Sequence, residues 1–335
     1  MSRLGIFVNR QTLSSSEQLT ALIRCRDVAE SMGHTAEFIF PVDIKKIPKL
    51  DALFIRANTD PMNATYVASK IASMYGIPVI DDPRSIQICA DKVNMYMHLM
   101  KRGIPMPRTV FPSKRDIAPE YAKWLLDDLG CPLVLKEPST SFSARVEKAS
   151  SVEEFLKVAR RFLKLSDWIV AQEYIESRYD WRVGVLDGEF LYACRYVIPP
   201  KTFKIQANVD GHLVYCGVES VAQEDVPESI TDLGIRAAEA IGRGLYGVDI
   251  KESQGQLWVI EVNDNPSLDG GEDDQYPDVY REIVTFLLGG EERDFIPGVV
   301  YDSYDVGVNA RYQAPFLDGV LTENGLSSYK MDLKR

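Results

Sequence analysis

The chain has 335 residues, of which 45% are hydrophobic and 26% are charged, and its formal net charge is −11. This balance is typical of a folded protein of two or three domains and excludes a disordered or fibrous chain. The acidic net charge argues against a nucleic-acid partner. No apolar run approaches the length of about 20 residues that crosses a bilayer, which argues against a membrane partner.

The first ninety residues alternate strand signals with helix signals. Apolar runs predict the strands, and apolar stripes with a helical period predict the helices. The predicted strands lie at 4–8, 36–40 and 52–57, the helices at 16–32 and 63–75, and a buried strand follows in the run IPVIDD. This alternation indicates a parallel sheet covered by helices. We therefore expect residues 1–90 to form an N-terminal βαβ domain.

A proline-rich segment marks the next boundary. A helix predicted near 91–102 ends at Gly103 and is followed by GIPMPRTVFP, so we place the boundary just before Asp91. Beyond it, strands PLVLKE (132–137) and WIVAQEYI (168–175) bracket a helix at about 152–164. Residues 91–168 are expected to form one lobe.

The pattern then becomes mostly antiparallel. Asp187-Gly188 joins RVGVL to EFLYACRYV as a tight hairpin, and a turn around Gln254-Gly255 joins YGVDIKES to QLWVIEVN. Helices are predicted at about 227–242 and 278–288. We expect residues 169–290 to form a second lobe, and the sequence assigns no role to the tail at 291–335.

The stretch VIEVNDNP places oxygen-bearing side chains directly after a strand. Glu261 and Asn263 point to the same side of that strand, and the turn at 254–255 brings Asp249 opposite positions near 260 and 261. Two carboxylates about 4 Å apart repel by roughly 4 kcal/mol at an effective dielectric near 20, so the pair requires a proton or a cation. Mg²⁺ prefers such hard oxygen ligands. The alternative is a charged edge strand followed by a hydrated turn.

Lys136 lies inside the apolar strand LVLKEP, where an unpaired ammonium group is costly to bury, so an anion should meet it. The hydroxyl-rich run STSFS follows directly and includes Ser141 and Ser143. Its hydroxyl and backbone N–H groups suit a flap over a phosphate. The alternatives are a lysine that extends to solvent and an ordinary polar loop. After the next strand, QEYIES offers backbone groups for an adenine and the Glu176 carboxylate for ribose hydroxyls.

Taken in order, these segments resemble the ATP-grasp superfamily, and within it the RimK-like carboxylate–amine ligases, related to glutathione synthetase and D-alanine–D-alanine ligase. The resemblance covers about residues 1–290. Its markers are ADKVNMYMHLMKRGIPMP, PLVLKEPSTSFSARVEKASS, QEYIESRYDWRVGVLDGE, YGVDI and, most specifically, VIEVNDNPSLDGGEDD. The implied fold class is α/β and α+β: an ATP-grasp fold preceded by a parallel-sheet domain.

The resemblance also implies roles for individual residues. The ATP phosphates would be bound by Lys92, Lys136, Ser141 and Ser143, and the adenine hinge would be formed by Glu173, Tyr174 and Ile175, with Glu176 and Asp180 nearby. Mg²⁺, or Mn²⁺ as an alternative ion, would be bound by Asp249, Glu261 and Asn263. The phosphates and the substrate would be met by the catalytic residues Arg182, Arg195, Lys204 and Asn208, and the substrate would be faced by Arg56, Asn265 and Ser267.

Two segments depart from the family pattern. The family usually has FRSN where this chain has FKIQAN, which puts Lys204 and Asn208 in question because lysine does not replace a bidentate arginine. The flap STSFSARV contains no glycine, whereas related ligases use a glycine-rich loop.

The implied activity is ATP-dependent formation of an amide through an acyl phosphate, with an amino acid or peptide as substrate. Two alternatives stay open: a kinase on the same scaffold, and a non-catalytic ATP-binding module in an assembly. A dinucleotide-binding protein is disfavoured because no GxGxxG follows the first strand. A homo-oligomer is left open.

The N-terminus and the cysteines predict the compartment. The stretch MSRLGIFVNR lacks the long apolar core of a secretory signal. The five cysteines are widely spaced and include no CxxC pair, which favours reduced thiols. A cytoplasmic protein is therefore expected.

Overall fold

The computed structural model describes residues 1–140, 145–199, 202–203, 206–209, 212–289, 300–301 and 312–313. Its first unit is a four-stranded parallel sheet, as predicted. The strands are β1 (Arg3–Phe7), β2 (Thr35–Ile39), β3 (Ala52–Ile55) and β4 (Val79–Ile80), in the order β2-β1-β3-β4. The helices are α1 (Ser16–Ser31), α2 (Ala64–Met74) and α3 (Pro83–Cys89).

The second unit is a four-stranded antiparallel sheet. It contains β5 (Thr109–Val110), β6 (Leu133–Lys136), β7 (Val146–Ala149) and β8 (Val170–Glu173), in the order β5-β8-β6-β7. The helices α4 (Lys92–Lys101), α5 (Pro119–Leu129) and α6 (Val152–Phe162) accompany it. The predicted helices near 91–102 and 152–164 are confirmed, whereas α3, α5 and β7 had no predicted counterpart.

The third unit is a five-stranded antiparallel sheet. It contains β9 (Tyr179–Leu186), β10 (Glu189–Val197), β13 (Gly217–Ser220), β14 (Leu245–Ser253) and β15 (Gln256–Asp264), in the order β13-β10-β9-β14-β15. Two further pairs, β11 (Gln206–Val209) with β12 (His212–Tyr215) and β16 (Val300–Tyr301) with β17 (Tyr312–Gln313), stand apart. Both predicted hairpins are confirmed, and Asp187 and Gln254 hold their turns with φ of 53° and 52°.

Two helices, α7 (Glu228–Ile241) and α8 (Val279–Leu288), follow the predicted positions. The helix α7 packs on one face of the large sheet, where Trp181, Val183 and Val248 are buried. The helix α8 instead packs against α1, so the C-terminal part of the lobe closes onto the N-terminal sheet. The division into domains at 90, 168 and 290 remains a prediction.

Short 3-10 helices complete the described fold at Thr12–Ser14, Pro41–Lys49, Lys114–Asp116 and Gln223–Asp225. Among the described residues, no helix has the length and apolarity needed to cross a bilayer.

Candidate active site

A single bulge in β15 puts the two predicted metal carboxylates on one side of the sheet. Counted from the turn, Ser253 pairs with Gln256 and Ile250 with Val259, so an unbroken ladder would place Asp249 opposite Ile260. The register shifts after Ile250, and Asp249 pairs with Glu261 instead. Because side chains alternate along a strand, this shift decides that Glu261 points the same way as Asp249.

Arg182 joins this rung from the neighbouring strand β9. Its Nε donates to Asp249 Oδ1 at 2.6 Å and its Nη2 to Oδ2 at 3.1 Å. The amide of Asn263 donates to Asp249 Oδ2 at 3.1 Å. The two-pronged arginine contact is the geometry that fixes a guanidinium most firmly. Gly247 leaves room for it, since an added Cβ would lie 2.8 Å from Arg182 Cδ.

Two buried lysines face the same carboxylates. Lys92, at the start of α4, places its Nζ 3.0 Å from Glu261 Oε1 and also donates to the carbonyl of Thr140. Lys136, the last residue of β6, donates from Nζ to Tyr96 Oη at 2.7 Å. Tyr96 Oη in turn donates to the carbonyl of Ile260, the bulged residue, at 2.7 Å. The lysine predicted to need an anion is therefore held by a neutral oxygen.

The charges of this cluster leave a positive excess. Three cationic side chains, Lys92, Lys136 and Arg182, meet two carboxylates, Asp249 and Glu261, which gives a net charge of +1. The nearby carboxylate of Asp180 is paired with Lys251, so this pair leaves the sum unchanged. The surplus is buried, since Lys92 and Lys136 are 4% and 5% exposed. A buried positive excess favours an anionic ligand.

The pKa shifts reflect the same arrangement. Burial lowers the pKa of Lys136 to about 8, although Glu261 and Asp180 oppose the shift. Burial would raise the pKa of Glu261, but Lys92 and Lys136 outweigh it and hold that pKa below its usual value. Burial raises the pKa of Asp249 despite the opposing effect of Arg182. Perturbed groups of both signs in one cleft are a mark of functional sites.

A cavity of about 540 Å³ opens from this cluster towards the N-terminal sheet. Arg56, Asn265 and Ser267, the predicted substrate residues, all line it. Arg56 donates from Nη1 to Asn265 Oδ1 at 2.6 Å and to the carbonyl of Pro266 at 3.0 Å, which ties the loop after β15 to the end of β3. The cavity therefore joins the Asp249 cluster to the carboxyl edge of the parallel sheet. The carboxyl edge is where α/β folds commonly bind ligands.

The predicted hinge connects β8 to β9 at the edge of the two antiparallel sheets. The carboxylate of Glu173 accepts from Arg108 Nε at 3.3 Å, and Lys148 Nζ lies 3.5 Å from the centroid of the Tyr174 ring. Ile175 is half-buried and Glu176 is exposed. The roles of these residues towards a nucleotide remain predictions.

Other predicted residues lie beside the cluster, apart from it or outside the described residues. Asp180 lies beside the cluster, on the face of β9 that carries Arg182; it is buried, accepts a hydrogen bond from Lys251 and acts on the pKa of Lys136. Arg195 pairs with Trp181, so it points to the sheet face opposite Arg182, and its guanidinium carbon lies 4.5 Å from the Trp181 ring centroid. The structure does not bring Arg195 into the cluster. Ser141, Ser143, Lys204 and the side chain of Asn208 lie outside the described residues.

Three functional candidates were missed from the sequence: Tyr96, Tyr196 and Glu272. The ring of Tyr196 lines the cavity 5.0 Å from the Arg182 guanidinium carbon, and its hydroxyl donates to Glu272 Oε1 at 3.2 Å. Glu272 is 3% exposed and lies in the acidic run LDGGEDD, which reads as a solvated loop. A buried carboxylate in such a run has no local sequence signal.

The donor set suits a hard divalent cation. Asp249, Glu261 and Asn263 offer only carboxylate and amide oxygens. Within the described ranges, no group of three or more His, Cys, Asp or Glu side chains is arranged to hold a metal, and the set proposed here contains two carboxylates and one amide. Two carboxylates and an amide fit Mg²⁺, which usually shares its coordination with substrate phosphates and water. They do not fit Zn²⁺, which favours nitrogen and sulfur.

Comparison with known proteins gives a family. The model of the RimK-like ATP-grasp domain matches residues 89–287, more than half of the chain. The chain belongs to the RimK-like ATP-grasp family. A probable alpha-L-glutamate ligase 1 of Shewanella denitrificans is 27% identical over 296 residues, covering 82% of this chain and 95% of the relative.

Solved structures of the same fold agree. A RimK domain ATP-grasp protein from Sphaerobacter thermophilus superposes with a TM-score of 0.64 at 18% identity, covering 86% of this chain and all of the other. D-alanine–D-alanine ligase from Bacillus anthracis, in complex with ATP, gives 0.64 at 18% identity over 86% and 97% of the two chains. The predicted ATP-grasp fold is confirmed, and the chain is an ATP-grasp enzyme of the carbon–nitrogen ligase type.

Proposed function

We propose that the protein joins the carboxylate of an amino acid or peptide to an amine, at the expense of ATP and through an acyl phosphate. The carboxylate attacks the γ-phosphorus and ADP leaves. The amine then attacks the acyl carbon, expels inorganic phosphate and loses a proton, which leaves an amide. The relatives named as glutamate ligases make an α-amino acid the substrate class to test first.

The buried positive excess around Asp249 carries this proposal. Lys136 is bound to the neutral hydroxyl of Tyr96, which leaves its charge available to a triphosphate. Lys92 meets both the carbonyl of Thr140 and the carboxylate of Glu261, so the positive excess belongs to the cluster as a whole. Arg182 is fixed by its two contacts to Asp249, so it stabilises charge on the transferring phosphoryl group without reorganising. Phosphoryl transfer needs little beyond such positioning and charge.

Asp249, Glu261 and Asn263 would hold Mg²⁺. When bound, the ion neutralises charge on the phosphate oxygens. The strand register supports this proposal because it brings the three side chains together, and all three line the cavity. An acyl phosphate would also need water to be kept from the site.

Purified protein with ATP and Mg²⁺ is tested against pairs of amino acids and peptides for ADP release, and the products are identified by mass. The proposal expects release that requires both a carboxylate and an amine, with an amide as product. Release that requires no amine, with a stable phosphorylated product, would indicate a kinase instead.

Two variants test the metal residues. Glu261→Gln should lower ADP release at least about 100-fold, because a metal ligand and the negative charge that attracts the ion are lost together. Glu252→Gln removes an exposed carboxylate from β14 and should have no effect. Equal rates in the wild type and Glu261→Gln would refute the metal assignment, and matching thermal melts would show that both variants fold.

A further inference from the structure

The hydroxyl of Tyr96 joins the helix α4 to two other elements of the cluster. Its ring is packed in the core, and Tyr96 has no exposed surface. The hydroxyl accepts a hydrogen bond from Lys136 Nζ at 2.7 Å and donates one to the carbonyl of Ile260 at 2.7 Å. A hydroxyl has one proton to donate, and the carboxamide oxygen of Gln172 lies farther away, at 3.5 Å. The proton is therefore committed to Ile260, and an oxygen lone pair to Lys136.

The carbonyl that Tyr96 binds belongs to the free edge of the large sheet. The strand β15 is the last in the order β13-β10-β9-β14-β15, so the backbone groups on its outer side have no further strand of that sheet to pair with. The segment around α4 meets them instead. Val259 N donates to the carbonyl of Pro105 at 2.9 Å, and Val262 N donates to Met95 Sδ at 3.2 Å. Tyr96 supplies the contact between these two, at the residue that the bulge adds to the strand.

The bulge decides where Glu261 points. Asp249 pairs with Glu261 only because Ile260 stands outside the ladder. An extra residue of this kind leaves backbone groups that the partner strand does not satisfy. The hydroxyl of Tyr96 meets one of these groups, so it stabilises the bulged register over the regular one. In the regular register, Glu261 would turn to the other face of the sheet, away from Asp249.

We propose that Tyr96 is a positioning residue for nucleotide binding, and that its hydroxyl acts by two independent routes. Through Lys136, it holds an ammonium group in the cluster at the end of β6. Through Ile260, it holds the register that brings Glu261 to Asp249, where Mg²⁺ is proposed to bind. Tyr96 contacts neither ligand itself, because it has no exposed surface. The inference rests on the proposed function and deepens it, since one uncharged hydroxyl couples a phosphate-binding side chain to the metal ligands.

Calorimetry with a non-hydrolysable ATP analogue separates the two routes. The affinity measured with a metal chelator reports on the phosphate-binding side chains, and the factor by which saturating Mg²⁺ raises that affinity reports on the metal ligands. Tyr96→Phe keeps the buried ring and removes only the hydroxyl. This variant should bind the analogue about 10-fold more weakly in the chelator, as expected when a charged group loses its hydrogen bond, and the Mg²⁺ enhancement should fall at least about threefold.

Two further variants assign each effect to its route. Lys136→Met should bind weakly in the chelator and keep at least the wild-type Mg²⁺ enhancement. Adding Tyr96→Phe to it should change the affinity in the chelator less than about twofold, because the lysine through which the hydroxyl acts is gone, and should still lower the Mg²⁺ enhancement at least about threefold. Tyr276→Phe is the matched control, since it removes a hydroxyl that donates to the carbonyl of Val221 at 2.6 Å, outside the cluster. It should leave both quantities within about twofold of the wild type.

Any of four results would overturn the inference: wild-type affinity of Tyr96→Phe in the chelator, an unchanged Mg²⁺ enhancement in Tyr96→Phe, a further loss of affinity in the chelator when Tyr96→Phe is added to Lys136→Met, or equal effects in Tyr276→Phe. A Tyr96→Phe protein that melts far below Tyr276→Phe and binds no analogue would assign the hydroxyl to folding alone, which also overturns the inference.

ADP release tests the ligase proposal separately. A wild type that binds the analogue but releases no ADP with any substrate pair contradicts the ligase and leaves the role of Tyr96 standing. Active wild type and Tyr96→Phe proteins with equal affinities and equal Mg²⁺ enhancement contradict the role of Tyr96 alone. A wild type that does not bind the analogue contradicts both proposals.

Discussion

Lys136 makes nucleotide binding depend on pH in the weakly alkaline range. Burial lowers its pKa from the ordinary 10.5 to about 8, so its ammonium group begins to lose its proton near pH 8 in the free protein. Only the charged form attracts a triphosphate. Between pH 7 and pH 9 the charged fraction falls about tenfold, so the affinity for an ATP analogue should fall about tenfold, or ~1.4 kcal/mol.

Calorimetry with a non-hydrolysable ATP analogue at saturating Mg²⁺ checks this prediction. The phosphates cause little of the change, because their last pKa lies near about 6. Near pH 9, binding should be accompanied by the uptake of close to one proton. This uptake appears as a dependence of the measured binding enthalpy on the ionisation enthalpy of the buffer. Lys136→Met should bind weakly at both pH values and show no slope.

The same shift predicts a sign for stability. Between pH 8 and 10.5 the unfolded chain retains a proton that folded Lys136 has lost, so the fold should gain stability from this group as the pH rises through that window. Lys136→Met should lack the gain and should be no less stable at pH 7, since it removes a buried charge. An affinity that stays flat from pH 7 to 9, or a slope that persists in Lys136→Met, would refute the reasoning.

Two further substitutions probe the supporting structure. Tyr196→Phe removes the 3.2 Å hydrogen bond from Tyr196 to Glu272. Loss of about 1 kcal/mol of the interaction that positions the Tyr196 ring should lower kcat about fivefold and leave the nucleotide affinity within twofold of the wild type. An unchanged kcat would contradict this prediction. Gly184→Ala would place a Cβ 2.0 Å from the buried ring of Tyr192 and should reduce the free energy of unfolding by about 3 kcal/mol in urea titrations. Gly217→Ala, whose Cβ would meet Val197 at 3.7 Å, is the matched control, and equal stability of the two variants would disprove the packing argument.

Local sequence signals predicted the strands that carry the site. The turn at Gln254-Gly255 fixes the β14–β15 hairpin, and a hairpin limits which residues can lie opposite Asp249. The sequence predicted only that Asp249 lies opposite positions near 260 and 261, because a sequence does not reveal a bulge. The structure resolves it in favour of Glu261, with Tyr96 donating to the carbonyl of the bulged Ile260.

Long-range contacts explain what the sequence left out. Tyr96 and Tyr196 reach the site from α4 and β10, and neither lies in a motif that distinguishes it from a core tyrosine. The helix α5 did have a readable signal, with Pro119 at its first turn and Ala122, Leu125 and Leu129 buried at helical spacing. The packing of α8 on α1 depends on the meeting of distant segments, which periodicity does not encode.

The fate of the carboxylate oxygen tests most directly whether the reaction passes through an acyl phosphate. The carboxylate substrate found in the screen is labelled with heavy oxygen and turned over with ATP, Mg²⁺ and its amine, and the released phosphate is analysed by mass spectrometry. One labelled oxygen is expected in each phosphate for every amide formed. Amide formation with wholly unlabelled phosphate would contradict the acyl phosphate.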